Sequence, residues 1–511
     1  MYKSSLTFQA LRNSSYNFIG YLLPLVITFV ITPIIVFKLG VKSYGIYLFI
    51  NTAVSFIGLI DLGLGMAVSK HMSFYFGKKD LEAVKRLAHT ANSLFLITAV
   101  LGFLVSLLIG LGIHYFTPER FLAYKDYAVL FIIGGGTYFM TTIGSTYSSI
   151  LFGLQRFDLT TKISLTHFTL TSISMFLIVT LGGTLQEIFY SQLLLATGLM
   201  IFNIYKAHQM VPVATIKLGW SSLEIKHCYK FGIAASLNNI ANTSLTSLDK
   251  LIIPFFAGPT NLTYYNMPGS VTTKIPGISN TLSITLFPTV SQLSGGESIE
   301  RIRTLYTRSF RLIIIMASTL TIACISFSYK ILEHWLNTDF AEKSFVVLII
   351  LALTNFILAL FGPLSNFLLG LGKLKSITFT SITMSVVNFI FLLLLLPKFG
   401  IQGAAVAYLI SVLPVIYLFY FVEKHYLSLK ERKKDYIKIF SGLVFTSFIM
   451  ISLNLLLSSL IVNMLTLLIV GGSSIIIHIL LYKGLGFFEN EDWRDIELFY
   501  KIIIDKIALK R

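Results

Sequence analysis

Long apolar stretches separated by short polar connections dominate the chain. A stretch of about 20 apolar residues is long enough to cross a bilayer as a helix, and this pattern recurs fourteen times in the 511 residues. The predicted spans are 17–38, 44–68, 89–114, 124–152, 160–183, 184–207, 229–256, 264–293, 309–332, 343–369, 375–396, 401–423, 436–457 and 460–483. The sequence therefore predicts an all-α polytopic membrane protein with fourteen transmembrane helices.

The distribution of basic residues predicts how these helices are oriented. With a cytoplasmic N-terminus, 31 of the 40 Lys and Arg residues fall in inner connections and tails, 7 fall outside, and 2 lie within spans. Basic residues accumulate in cytoplasmic loops of membrane proteins. We therefore expect both termini to be cytoplasmic.

A repeat with an offset of about 218 residues is visible in the equivalent connections of the two halves. Gly40 and Tyr47 match Gly258 and Tyr265, and the segments 77–87 and 152–156 match 295–305 and 369–373. Six spans per repeat give both lobes one orientation, related by an axis along the membrane normal, as in many secondary transporters. The predicted parts are an N-terminal six-helix lobe (1–207), a cytoplasmic linker (208–227), a C-terminal six-helix lobe (228–424), helices 13 and 14 (425–483) and a cytoplasmic amphipathic tail (484–511).

Apolar and charged residues alternate with helical spacing between Lys78 and Leu87. This pattern predicts a short amphipathic helix on the inner membrane surface, and Ile299 to Leu305 predicts a second one.

Composition agrees with a membrane protein and excludes several classes. Only 12% of the residues are charged, about half the share of soluble domains. The net charge of +17 is explained by cytoplasmic loops and anionic lipid, and no soluble domain is predicted that would bind nucleic acid. Two cysteines form neither a disulfide framework nor a metal site. No nucleotide-binding or catalytic motif is apparent, so we expect a protein that is not an enzyme and uses no cofactor.

Charges within the predicted spans are the main functional signal. Lys274 lies about ten residues from the outer end of its span, near the bilayer midplane, and Asp249 lies at a similar depth in the preceding span. Charge at this depth is costly, so such residues usually face a cavity or a partner. Asp249 is either a counter-ion of Lys274 or a proton or cation site.

Three further charged residues have alternative interpretations. Lys250 either snorkels outward to the membrane surface or lines the cavity. Asp61 either caps a helix loosened by Gly63 and Gly65 or, like the other intramembrane charges, faces a cavity or a partner. Arg12 either snorkels or lines the inner mouth. Prolines in the same spans predict kinks beside a cavity.

Three segments resemble the Wzx-type polysaccharide biosynthesis flippases of the MOP (MATE-like) exporter superfamily. Residues 23–70 resemble the opening of that family, and 247–266 resemble its seventh-helix signature, an Asp followed by a basic residue before the turn. Residues 361–373, which end in LLGLGK, resemble its tenth-helix exit.

This resemblance implies two six-helix lobes around a central cationic cavity. The cargo would be an undecaprenyl-diphosphate-linked oligosaccharide, moved to the outer leaflet of a bacterial or archaeal cytoplasmic membrane for O-antigen, capsule or exopolysaccharide assembly. Lys274, Lys250 and Arg12 would bind the diphosphate, and Asp249 or Asp61 would couple transport to H⁺ or Na⁺. Membrane lipids, a polysaccharide polymerase and glycosyltransferases are the implied partners.

The alternatives are a lipid II flippase, a MATE-type multidrug or cation antiporter and, in another class, a membrane polymerase or ligase. Drug exporters of this superfamily usually have twelve spans, and polymerases need a large outer loop, so the flippase interpretation is preferred.

Overall fold

A computed structural model describes residues 23–115, 126–213, 216–283, 299–427 and 429–488. Every regular element in these ranges is helical. The chain divides into two compact units, Met1–Thr263 and Tyr264–Arg511.

The first unit contains eight helices among its described residues and the start of a ninth. They are α1 (Leu23–Leu39), α2 (Val41–Ile57), α3 (Leu64–Gly77), α4 (Leu81–Tyr115), α5 (Ala128–Gly153), α6 (Phe157–Thr180), α7 (Leu185–Met210), α8 (Ser222–Ala257) and α9 (Pro259–Thr272), which continues into the second unit. A short 3₁₀ helix, Gly58–Asp61, follows α2.

Small residues let α4 and α5 pack closely in the first unit. A Cβ at Gly102 would lie 2.0 Å from the Tyr138 ring, and one at Gly135 would lie 2.6 Å from Ser106. The Ser106 hydroxyl donates to the carbonyl oxygen of Phe131 at 2.6 Å. Close approach through small residues and hydroxyl hydrogen bonds is how helices associate where lipid removes the hydrophobic driving force.

The second unit contains the remaining helices of the described chain. They are α10 (Lys274–Ser283), α11 (Ile299–Ser326), α12 (Ser328–Trp335), α13 (Thr338–Gly370), α14 (Leu374–Ser411), α15 (Pro414–Tyr426), α16 (Leu429–Leu457) and α17 (Met464–Gly484). Helix α13 packs against α10, α11, α12 and α14. Buried polar side chains connect α17 to two other helices: the Tyr482 hydroxyl lies 3.0 Å from that of Ser318 on α11, and the Ser474 hydroxyl donates to Asn454 on α16 at 2.7 Å.

Ten helical segments of the described chain are long and apolar enough to cross a membrane. The protein is therefore a multi-pass helical membrane protein, as predicted. Helices α8 to α10, which were assigned to spans seven and eight, are not among the ten, and the count of fourteen stays a prediction. The boundaries of the predicted lobes, linker and last helix pair also stay predictions. The predicted tail lies almost wholly outside the described residues.

The predicted surface helices are wrong as separate elements. The first is the beginning of α4, which runs without interruption from Leu81 to Tyr115. The second is the beginning of α11, which is continuous from Ile299 to Ser326. Val84 and Leu87 are fully buried in a core with α3, α5 and α8, so their apolar face packs on protein.

The matched positions of the two sequence repeats have the same backbone conformation. Gly40 (φ 89°, ψ 147°) and Gly258 (φ 84°, ψ 164°) each join two helices in a conformation that favours glycine. Gln155 (φ 59°) and Gly372 (φ 72°) occupy the second pair of matched turns. The residues after them, Arg156 (φ −85°, ψ 55°) and Lys373 (φ −93°, ψ 51°), again agree.

Candidate functional site

The second predicted span is broken where its acidic residue lies. Leu62 (φ 47°) and Gly63 (φ 71°) are both left-handed, so the 3₁₀ helix ends and α3 starts in a new direction. The Asp61 carboxylate accepts a hydrogen bond from the Gly63 backbone N–H at 2.8 Å. This contact closes an Asx turn at the break, while the N-cap of α3 is Gly63 and receives no side-chain hydrogen bond.

The break lies beside a cavity of about 590 Å³ in the first unit. Helices α3, α5, α6 and α8 contribute to its wall. Its polar lining consists of Asp61, Ser69, Lys70, Ser73, Ser148, Ser149, Gln155 and Asn239, and its aromatic lining of Phe152, Phe157 and Phe231. Hydroxyl, amide, ammonium and aromatic groups together suit a ligand that carries both sugars and negative charge.

Close helix packing places these polar groups at the wall. The Ser69 hydroxyl lies 2.8 Å from the Gly65 carbonyl oxygen and 2.9 Å from that of Ser149, so it connects α3 to α5. The Lys70 ammonium lies 4.0 Å from the centre of the Phe231 ring on α8, a cation–π geometry that holds the charge at the cavity.

A buried carboxylate lies near this cavity, beyond the predicted second span. Glu224 is fully buried, and the Tyr75 hydroxyl donates to it at 3.1 Å. His227 lies 3.8 Å from the same carboxylate and stacks on His71 with ring centres 5.1 Å apart. Burial and the Glu224 charge raise the pKa of Tyr75 to about 12. Burial, followed by the neighbouring His227 and Lys70, lowers the pKa of His71.

Asp249 and Lys250 belong to α8 in the first unit. Asp249 is 3% exposed, and its carboxylate accepts a hydrogen bond from the Lys250 backbone N–H at 2.8 Å. Lys250 is half-buried. Neither residue lines the cavity beside Asp61.

Lys274 is the first residue of α10 in the second unit and is half-buried. Pro276 has no N–H to donate to the carbonyl of Thr272, which explains why α9 ends there. The Thr272 hydroxyl accepts a hydrogen bond from the Asn355 side-chain amide on α13 at 3.1 Å. Arg12 lies outside the described residues.

Of the predicted site residues that the structure describes, only Asp61 lines this cavity. The prediction missed Lys70, which was counted as one more inner-loop cation, and the serines around it. A signal was present: Gly65, Ser69 and Ser73 recur every four residues and therefore share one face of α3. Among the described residues, no cluster of His, Cys, Asp or Glu is arranged to hold a metal ion.

Comparison with known proteins identifies the family. The model of the polysaccharide biosynthesis protein family matches residues 10–294, more than half of the chain. The chain belongs to the polysaccharide biosynthesis protein family. A second model, MatE, matches residues 234–394. The resemblance to polysaccharide flippases of the MATE-like superfamily is thereby confirmed.

Individual relatives of this polysaccharide biosynthesis protein are distant but cover most of it. A putative O-antigen transporter of Shigella flexneri is 20% identical over 407 residues, 79% of this chain and 95% of the relative. The probable flippase AglR of Haloferax volcanii is 22% identical over 387 residues, 75% of this chain and 76% of the relative. The solved lipid II flippase MurJ, in an inward closed conformation, has a TM-score of 0.69 at 16% identity, with coverage of 93% and 99%. At 16% identity, the match to MurJ shows a similarity of fold alone.

Proposed function

We propose that this protein is a flippase that moves an undecaprenyl-diphosphate-linked oligosaccharide from the cytoplasmic to the outer leaflet. The product would enter assembly of a surface polysaccharide, where a polymerase and glycosyltransferases act. Transport proceeds by alternating access and is coupled to an ion or to the membrane potential. The protein is not an enzyme and makes or breaks no covalent bond.

The observation that carries the proposal is the cavity beside Asp61 in a member of a polysaccharide biosynthesis family. Its serine hydroxyls and the Asn239 and Gln155 amides are suited to sugar hydroxyls, and Lys70 is suited to a phosphate. Family membership and the transporter relatives support the same cargo class.

Individual roles follow from charge and position. Lys274, Lys250 and Arg12 bind the diphosphate, and we add Lys70 to this group. Asp249, which is buried within α8, and Asp61 are the ion-coupling candidates. The membrane is the cytoplasmic membrane of a bacterium or an archaeon, with both chain termini on the cytoplasmic side.

A different cargo is the alternative. The match of residues 234–394 to the MatE model supports a MATE-type antiporter of cationic compounds, and the fold similarity to MurJ supports a lipid II flippase. All three share one fold, so the cargo decides between them.

The test is transfer of defined cargo across a reconstituted bilayer. Proteoliposomes would contain a fluorescent undecaprenyl-diphosphate oligosaccharide, and a membrane-impermeant quencher would report how much lies in the outer leaflet. We expect time-dependent transfer that protein-free vesicles lack. Lipid II and a fluorescent organic cation provide the two comparison cargoes.

The outcomes separate the three cargoes. Transfer of lipid II without transfer of the oligosaccharide lipid, or uptake of the cation alone, contradicts the proposal. A Lys70→Ala protein should transfer the oligosaccharide lipid more slowly. Its matched control is Lys78→Ala, because Lys78 also lies over an aromatic ring, Phe74, at 4.3 Å, but does not line the cavity.

A further inference from the structure

An apolar crevice runs between α6 and α7, apart from the cavity beside Asp61. It has a volume of about 400 Å³ and is lined mainly by aliphatic side chains from both helices. It is open along its side: Leu194 is 73% exposed, and Leu170 and Phe202 are about half exposed. Because α6 buries few residues against the rest of the first unit, this side of the crevice faces the lipid.

Positive charge is confined to one end of the crevice. Lys162 lines it there, and Lys206 lies over the Phe202 ring, 5.8 Å from its centre, at the same end of the antiparallel pair. No acidic residue lines the crevice, and nearby Asp158 is paired with Arg156 at 2.9 Å. The positive-inside rule assigns this end to the cytoplasmic surface.

The length of the crevice corresponds to one leaflet. On α6 it extends from Leu159 to Leu170, a rise of about 16 Å at 1.5 Å per residue. Half of a hydrocarbon core about 30 Å thick is about 15 Å. Within the crevice, Nε2 of His167 is buried and has no hydrogen-bond partner among the described residues.

We propose that this crevice binds an anionic phospholipid of the cytoplasmic leaflet. One acyl chain lies between α6 and α7, and the headgroup phosphate pairs with Lys162 and Lys206. The ester group at the headgroup end of the acyl chain is a hydrogen-bonding partner suited to Nε2 of His167. Basic positions between helices at the cytoplasmic surface are a recurring form of lipid recognition.

Headgroup selectivity is the first test. The full-length protein, purified in detergent, would be titrated with phosphatidylglycerol or phosphatidylcholine, and bound lipid counted by native mass spectrometry. We expect one tightly retained phosphatidylglycerol. Its affinity should fall about fivefold in Lys162→Gln and about thirtyfold in the Lys162→Gln/Lys206→Gln protein. The matched control is Lys424→Gln, because Lys424, like Lys206, lies over an aromatic ring, that of Tyr420 at 5.5 Å, but in the second unit.

A variant that fills the crevice tests the position proposed for the acyl chain. Gly198 lines it, and a Cβ there would meet no atom within 4 Å, so the side chain of Gly198→Leu starts without a clash and extends into the crevice. We expect this variant to retain little phosphatidylglycerol. Gly112→Leu on α4 is the control, since its Cβ would also meet no atom within 4 Å.

Several results would overturn the assignment. Equal retention of both phospholipids, or unchanged retention in the Lys162 and Gly198 variants at an unchanged melting temperature, excludes an anionic phospholipid. Displacement of phosphatidylglycerol by undecaprenyl phosphate at equal concentration assigns the crevice to the cargo tail. A dimer that Gly198→Leu converts to monomer assigns it to a second copy of the chain. The proposal does not depend on the transported cargo, because lipid retention is measured without transport.

Discussion

Helices α2 and α9 start alike but are interrupted differently. Each follows a glycine with φ above 80° and extended ψ, Gly40 or Gly258, at matched positions of the repeat. Helix α2 ends in a 3₁₀ turn at Asp61, and two left-handed residues precede α3. Helix α9 ends at Thr272, and α10 starts at Lys274 after a single turn residue. A carboxylate marks one interruption and an ammonium the other.

The two charges differ in what they do for the backbone. Asp61 accepts from the Gly63 N–H near the start of α3, where the helix dipole also favours negative charge. Lys274 opens α10, where the dipole disfavours positive charge. With respect to the helix dipole alone, the charge of Lys274 is unfavourable and that of Asp61 is favourable.

The largest effect is expected from removing the charge of Lys274. Lys274→Ala should abolish export of the glycan while the protein remains in the membrane, because the cargo diphosphate loses its central cation. Surface polysaccharide measured in complemented cells provides the readout. Lys274→Arg should restore part of the export, and the exposed Lys375→Ala should leave it unchanged.

Normal surface polysaccharide in the Lys274→Ala cells would contradict this role. Lys274 would then have no role in transport, and the interruption at this residue would be only the consequence of Pro276. A loss of export accompanied by loss of the protein from the membrane would show a role in folding instead.

The membrane helices could be predicted from the sequence more completely than the cavity. Apolar length predicted the membrane helices, and matched glycines predicted turns whose backbone angles agree, because both signals are local. The sequence also located the charges at both interruptions. Lys70 and the serines on α5 were missed, because their meeting depends on how α3, α5 and α8 pack. The surface helices were predicted wrongly as separate elements. In the first of them Val84 and Leu87 are buried against protein, and an amphipathic pattern does not distinguish a protein core from a lipid surface.

A medium effect is expected where the first interruption requires glycine. Gly63→Ala should destabilise the protein by roughly 1–3 kcal/mol, because Gly63 has φ 71° and its new Cβ would lie 2.8 Å from the Gly232 carbonyl oxygen. Thr273→Ala, at the other interruption, should have little effect, since that break contains no left-handed residue. Thermal unfolding in detergent measures both.

Gly77→Ala is the control for helix α3, because its Cβ would meet no atom within 4 Å. Equal melting temperatures for Gly63→Ala and Gly77→Ala would show that the first interruption tolerates side chains. In that case the two interruptions would not differ in backbone strain.

The smallest change in stability is expected at Asp61. Substitutions there also separate a role in the backbone turn from a role in ion coupling. Asn can accept the same hydrogen bond from the Gly63 N–H as Asp, so Asp61→Asn should lose only the dipole interaction, about 0.3–1 kcal/mol. Asp61→Ala should also lose the hydrogen bond, which contributes about 0.5–1.5 kcal/mol. If the carboxylate also couples ion movement, the Asn variant should fold normally and transport its cargo without responding to an imposed proton or sodium gradient. Gradient-dependent transfer into the outer leaflet of proteoliposomes measures this directly. A gradient response equal to that of the unmodified protein would restrict Asp61 to its role in the backbone turn and leave Asp249 as the coupling candidate.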